Sequence, residues 1–503
     1  MTEPLQPTSD VPAPTSGAGS DWGYTAPTPA PTARRGRGRV FAAAAGTVAL
    51  VGLAAGGTYA VSALRGGGAQ PESALPANTI AFAKVDLDPS SGQKIDAIRF
   101  IRKFPAAKEK FGELGDSVDL RKLIVEQMQK DGQLKGLNYD TDIEPWLGKR
   151  FAVALVPGSD NTTPVPVAML AVTDKAKAET ALSKADNVDC TVTDEFALCG
   201  EAAAAMETVQ AAGAKASLAG ADGFTGDMKD LGEDGMLSFW ADLGAAKSAL
   251  GSAVKQFGGA SPTEFDSALQ GKLFGALRFD GANLELAAHV RDAKESFEGG
   301  KGDNAIGDLP ADTLAAVSIN DLGPNLQKQW TKLESTLNDT TGDSMSSLEQ
   351  QLGMSLPDDL VKLLGTQTTL AFGGMGTDNQ PKFALKTNGD AAVATKLVNT
   401  FADQGLSASV TPIDGGMVAG TGDYAAAVAQ GSGLSGKDLF KKAVPSGDKA
   451  QMAMFADIAG LIAAFGADLP DSERANLAPL EAFGLSATAE GTSSDIAIRL
   501  TTK

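Results

Sequence analysis

One uncharged stretch, Val40–Leu64 (VFAAAAGTVALVGLAAGGTYAVSAL), constrains this chain more than any other feature. At about 25 residues, a helix of this composition crosses a hydrocarbon core roughly 30 Å thick with some tilt. Arg34, Arg35, Arg37 and Arg39 precede it, and only Arg65 follows closely. Lys/Arg-rich flanks stay in the cytoplasm. The order therefore predicts a cytoplasmic tail at 1–39, a transmembrane helix at 40–64 and an extracytoplasmic body. Val61-Ser62-Ala63 resembles a signal-peptidase site. The long segment before the stretch and the length of the apolar run speak for an uncleaved anchor instead. Arg34-Arg35 lacks the phenylalanine of a twin-arginine signal and has Arg37 and Gly38 in its place. Gly52 and Gly56 form a GxxxG through which two such helices could pack as a weak homodimer. In so Gly/Ala-rich a helix that spacing also arises by chance.

The tail is rich in Pro, Thr and Ser and has no periodic hydrophobics, so it cannot bury enough surface to offset chain entropy and is expected to be disordered. Residues 65–74 read as a flexible spacer. The tail's four arginines outweigh Glu3, Asp10 and Asp21 by one, so of the chain's formal charge of −19 the body carries −20. That acidity keeps the body soluble and repels polyanions, which excludes nucleic acid as a partner. A chain of 503 residues is too long for one core.

The two cysteines, Cys190 and Cys199, fall on the side where a disulfide persists. If Asp194 and Glu195 centre a two-residue hairpin turn, positions 190 and 199 form a non-hydrogen-bonded pair, the closer of the two spacings. A structural bridge between them is expected. Redox activity would call for a Cys-x-x-Cys spacing.

The body reads as one unit written twice. Leu75-Pro76-Ala77-Asn78-Thr79-Ile80-Ala81 recurs as Leu309-Pro310-Ala311-Asp312-Thr313-Leu314-Ala315. Asp142–Gly148 loosely matches Asp359–Gly365, and Pro166–Leu170 matches Pro381–Leu385. Trp240-Ala241-Asp242-Leu243 recurs as Phe455-Ala456-Asp457-Ile458, and Phe279-Asp280-Gly281 as Ala489-Glu490-Gly491. The order is conserved, so tandem units at 75–305 and 306–503 are expected. Strand-like runs at 79–85, 150–156, 165–172, 236–241, 273–279 and 284–290 alternate with helical ones. Helix faces are read at Ile95/Ile98/Ile101 and at Leu326/Trp330/Leu333/Leu337. Hairpins interleaved with helices define an α+β class with mainly antiparallel sheets.

No set of residues carries a recognisable catalysis, and no catalytic, metal or cofactor-binding residue is assigned. The only histidine, His289, sits on a strand opposite Leu284, Leu286, Ala288 and Val290 and reads as solvated. One His and two bridged Cys leave no thiolate–imidazole zinc set and no Ser-His-Asp or Cys-His nucleophile. Gly431–Lys437 has phosphate-loop spacing, but Asp438 stands where a Ser or Thr hydroxyl is needed, so it reads as a turn before Leu439-Phe440. Asp86/Asp88 and Asp140/Asp142/Glu144 do not complete a calcium loop. Paired carboxylates of a hydrolase are a three-dimensional matter that spacing does not decide. Asn161 and Asn338 head glycosylation sequons, relevant in a eukaryotic secretory context.

The run LPANTIAFAKVDLDPSSGQKIDAIRFIRKFP, the PWLG at Pro145–Gly148 and the ADL near the end of each unit resemble a bacterial, mainly actinobacterial, family of single-pass membrane-anchored proteins of unknown function. The resemblance implies an extracytoplasmic envelope protein and supplies no catalytic residues. The second unit lacks Pro145-Trp146 and the cysteine pair, so the halves have diverged. The sequence thus leads to a single-pass membrane protein with a non-catalytic body that binds an envelope protein or wall component and needs no cofactor. Its alternatives are a carrier of an apolar or lipid ligand and, behind it, a carboxylate-dependent hydrolase.

Overall fold

The structure, a computed structural model, describes residues 68–503 apart from 90, 112–118, 120, 123–124, 127–128, 130–136, 159–163, 185–187, 247–269, 282, 294–302, 342–344, 378–379, 403–406 and 432. The tail, the apolar stretch Val40–Leu64 with Gly52 and Gly56, and Asn161 lie outside the described residues. Among the described residues no helix is long and apolar enough to cross a membrane. The class is α+β, with a large antiparallel sheet and interleaved helices.

The first half contributes β1 (Ala81–Asp86), β2 (Leu147–Pro157), β3 (Pro164–Val172), β4 (Asp189–Val192), β5 (Phe196–Gly200), β6 (Leu237–Asp242), β7 (Lys272–Asp280) and β8 (Asn283–Arg291). The second contributes β9 (Ala315–Asn320), β10 (Gln367–Met375), β11 (Pro381–Thr387), β12 (Ala408–Ile413), β13 (Gly416–Thr421), β14 (Met452–Asp457), β15 (Leu480–Glu490) and β16 (Ser493–Thr502). Among the described residues all sixteen strands join one sheet, in the order β12-β13-β11-β10-β9-β14-β15-β16-β8-β7-β6-β1-β2-β3-β5-β4. Read outward from the middle, the two halves have the same strand order. The sequence suggests separate sheets. The halves instead share one, because each closing hairpin pairs its outer strand with the other's, which leaves neither edge bare.

The pairing at that seam is symmetrical. Ala287 of β8 opposes Ala497 of β16, and each stands six residues after its own turn glycine, Gly281 or Gly491. On either side, Leu286 faces Ile498 and Ala288 faces Ile496. A local two-fold axis therefore passes between the two alanines, normal to the sheet. Both glycines have positive φ (60° and 58°), which a tight hairpin turn requires.

Helices cover both faces. On the front face, Ala203–Lys215 and Asp222–Leu231 set Met206, Val209, Phe224 and Met228 on Phe82, Met169, Leu198 and Phe274. In the second half, Gly422–Gln430 and Asp438–Ala443 do the same with Tyr424, Val428 and Phe440. On the back face, Lys175–Leu182 covers Leu147, Val172 and Cys199, and Ala391–Ala402 covers Met417 and Ala419.

Three local expectations differ. The spacer read at 65–74 is partly folded: Pro71–Ser73 is a 3-10 turn, and Glu72 is buried because it faces a buried lysine. Helix Ser91–Arg102 buries Ala97, Ile98 and Phe100 and turns Ile95 outward. In Leu322–Thr341, Leu333 points to solvent.

Candidate functional site

The repeated Leu-Pro-Ala-x-Thr segment shapes one wall of a cleft. Leu75 is fully buried, and its carbonyl accepts the Leu218 N–H at 2.8 Å. Thr79 closes a turn by donating both its N–H (3.0 Å) and its hydroxyl (2.6 Å) to the Pro76 carbonyl. The second half repeats the seat, with the Leu434 N–H donating to Leu309 at 2.9 Å. In both halves the partner is a 3-10 turn, Leu218–Gly220 or Leu434–Gly436. The glycine run at 431–437 thus anchors Leu309-Pro310, with Gly433 bridging Pro310, and leads into the helix that starts at Asp438.

Beside the first of these turns lies a cleft of about 540 Å³ at the ends of β1, β6 and β7. Its wall includes Asn78, Thr79, Phe224, Trp240, Asp242 and Lys272. Asp242 ends β6, accepts the Ala245 N–H at 2.9 Å and pairs with Lys272, the residue opposite it on β7. Lys272 Nζ also stands 5.5 Å from the Trp240 ring centroid. Trp240 donates its indole N–H to Asp227 at 2.7 Å and meets Phe224 edge to face, as Phe224 does Phe82.

The two carboxylates are driven apart. Burial raises Asp227, and its bond from Trp240 and the nearby Lys272 offset this only in part, so it stays above the ordinary range. Burial also pushes Asp242 upward, but the hydrogen bonds from Lys272 and Ala245 outweigh it and hold the group below its usual value. Each carboxylate already has its partner, so the arrangement offers a shaped wall with fixed dipoles and a cation over an aromatic ring. The same strand positions in the second half keep the aspartate, as Asp457, whose carboxylate accepts the Gly460 N–H at 2.7 Å. They replace Trp240 with Phe455 and Lys272 with Ala482. The shared Asp is a helix N-cap, which explains why the Ala-Asp-Leu/Ile segment recurs.

A second cluster went unread in the sequence. Lys84 on β1 is 2 % exposed and donates to Gln70 (3.1 Å), Glu72 (3.0 Å) and Asp234 (3.1 Å). Burial lowers its pKa, but the two carboxylates outweigh it and keep the ammonium charged. Among the described residues, Glu72 Oε2 and the hydroxyl of neighbouring Ser238 are buried without a hydrogen-bond partner. Strand alternation was the available signal, since it puts Lys84 on the face of Phe82.

The other residues singled out by the sequence are placed as follows. Cys190 and Cys199 are bridged, directly opposite each other on β4 and β5, with Cα atoms 4.1 Å apart across the Asp194-Glu195 turn. His289 is only partly solvated, its side chain being 18 % exposed. Its face is the front one, where its ring stacks on Phe274 at 5.2 Å and its Nδ1 lies 2.6 Å from Asp495. The sequence misassigns it because β8 is apolar on one side and yet packs on the other through Ala287. Asp86 pairs with Arg150, Asp88 with Lys149, Asp140 with Lys122 and Asp142 with Lys184. These acids serve as ion-pair partners, and Asp142 also accepts the Asn138 N–H at 2.9 Å.

Residues 42–196 match a family model described as a protein of unknown function (DUF3352). The match begins within the apolar stretch and ends at the first residue of β5. No curated protein matches the chain.

Proposed function

We propose that the chain is a single-pass envelope protein whose extracytoplasmic body binds a partner without catalysis, through the cleft at Asn78, Trp240 and Lys272. The observation that carries this reading is the difference between the halves. One shared framework carries Trp240 and the Lys272 cation beside an open wall in the first half, where the second has Phe455 and the uncharged Ala482. Packing needs alone would treat the two alike. We read the halves as tandem units, 75–305 and 306–503, which the common strand order and the recurring segments support. The bridged hairpin suits an oxidising compartment, in line with Val40–Leu64 as an anchor. The wall's ion pair favours an envelope protein or wall component with polar groups over an apolar cargo.

A carboxylate-dependent hydrolase is the second reading, favoured by the opposed shifts of Asp227 and Asp242. Their existing bonds to Trp240, Lys272 and Ala245 argue for the binding role.

The deciding experiment is in-cell photocrosslinking from position 78, at the exposed lip of the cleft, followed by identification of the captured partner. Capture that disappears on Lys272→Ala supports the binding role. A purified chain that turns over a substrate at an enzyme-like rate, and stops doing so on Asp227→Asn, would overturn it.

A further inference from the structure

The described chain begins at the end of the sheet opposite the cleft. Gly68 lies against the Arg150 side chain, and Arg150 pairs with Asp86, the last residue of β1. From there the chain runs along the front face past Gln70 and Lys84 to the turn at Pro76, before β1 brings it back. Followed across the sheet, the register puts Arg150 and Asp86 level with Arg278, Glu285, Arg499 and Phe455. Asp242 and Lys272 stand at the far ends of the strands.

At the Gly68 end, three residues after Phe455, begins the helix Ile458–Phe465 (IAGLIAAF). It carries no charge, and none of its eight residues is buried. Phe465 is 43 % exposed and stacks on Phe372 of β10 at 5.9 Å, while Leu370 (49 %) and Met375 (38 %) of the same strand are exposed beside it. A charge-free helix with five half-buried residues and its last three exposed, in a body of such acidity, marks a surface for a nonpolar neighbour. The corresponding end of β6 in the first half, at the cleft, begins instead with Leu243-Gly-Ala-Ala.

We infer that this edge of the sheet lies on the lipid surface, with Ile458–Phe465 and Phe372 in contact with the bilayer interface. The inference rests on Val40–Leu64 being the anchor. Only Arg65, Gly66 and Gly67 would then separate the anchor from Gly68, a reach of roughly 10 Å. So short a tether holds the Gly68 end against the headgroups, and the apolar helix is at that end. An amphipathic or apolar helix lying in the interface gains binding from each nonpolar side chain it buries there.

The test uses the full chain in phosphatidylcholine/phosphatidylglycerol vesicles, with the native disulfide intact and a fluorophore on Phe465→Cys or, at the cleft end, on Glu201→Cys. Nitroxide carried on the lipid should quench the label at 465 several-fold more than that at 201, and a water-soluble quencher should show the reverse. Equal accessibility of both labels to the aqueous quencher overturns the inference. Shielding of 465 from both quenchers also overturns it, in favour of a second copy or another protein on this face. An alkaline wash separates the two readings. Protein that stays on the vesicles with a water-exposed 465 sinks only the interfacial contact, whereas protein that washes off sinks the anchor as well.

Discussion

Glu285 of the first half holds Arg499 of the second across the seam: its Oε2 accepts from Arg499 Nε at 2.5 Å, and its Oε1 accepts from Arg278 Nε at 2.5 Å. The side chain is 6 % exposed. The two-fold mate of this contact is His289 with Asp495, the same acid–base exchange in reverse. Glu285→Ala removes the one anion between two partly buried guanidinium groups, and the expected cost is about 2–4 kcal/mol. Asp495→Ala, whose side chain is 51 % exposed, should cost less. Urea unfolding of both variants checks the ranking.

Acid should weaken the seam before the individual cores. Burial raises Glu285, but Arg278 and Arg499 outweigh it and hold its pKa below the usual value. A depressed carboxylate contributes stability that is complete above its unfolded pKa, about 4.3, and is lost as pH falls through the folded value. Stability should therefore drop below about pH 4 in the wild type and fall less steeply in Glu285→Gln. Asp227 has the opposite sign, because its raised pKa makes the ionised form unfavourable in the fold. Asp227→Asn should gain stability at neutral pH and lose that advantage in acid.

The buried lysine has a natural comparison in the same molecule. Position 84 corresponds to Ser318 on β9, whose hydroxyl bonds Thr369 at 2.7 Å, and Ile306 is fully buried ahead of β9 much as Glu72 is buried ahead of β1. Lys84→Met strands the buried Glu72 and the half-buried Asp234, at an expected cost of about 3–5 kcal/mol. Adding Glu72→Ile, the second half's solution, should recover a large part of it. A double variant no more stable than Lys84→Met alone would refute the comparison. Thermal unfolding reads both.

The disulfide closes a short loop on an edge strand, with a sequence separation of 9. Loop-closure entropy gives about 2–3 kcal/mol for its removal in Cys190→Ser/Cys199→Ser. The loss should be local, so hydrogen exchange should accelerate in β4 and β5 and remain slow at the seam.

Periodicity and spacing made much of the fold legible. The Cys190–Cys199 hairpin follows from counting outward from one turn, and the β7–β8 hairpin from Asp280-Gly281 between two apolar runs. The single sheet was not legible, because the β8–β16 pairing joins residues about two hundred positions apart and neither strand's pattern names its neighbour. The cleft was hidden for a related reason. Asp242, Trp240 and Asp227 are scattered over sixteen positions, and Lys272 lies further on, so only the β6–β7 register and the helix above it unite them. Lys84 escaped notice because lysine in a strand is normally read as pointing to water, while here the segment Gln70–Glu72 folds over it.

The axis between Ala287 and Ala497 turns one half head to foot relative to the other. Two copies joined by simple translation would present matching surfaces in the same direction and could grip a repetitive partner twice. Inversion forbids that: whatever one half offers at its β6 end, the other offers at the opposite pole. A molecule built this way has direction, with one end free to lose its polar wall while the other retains it, and the expected stoichiometry is one partner per chain.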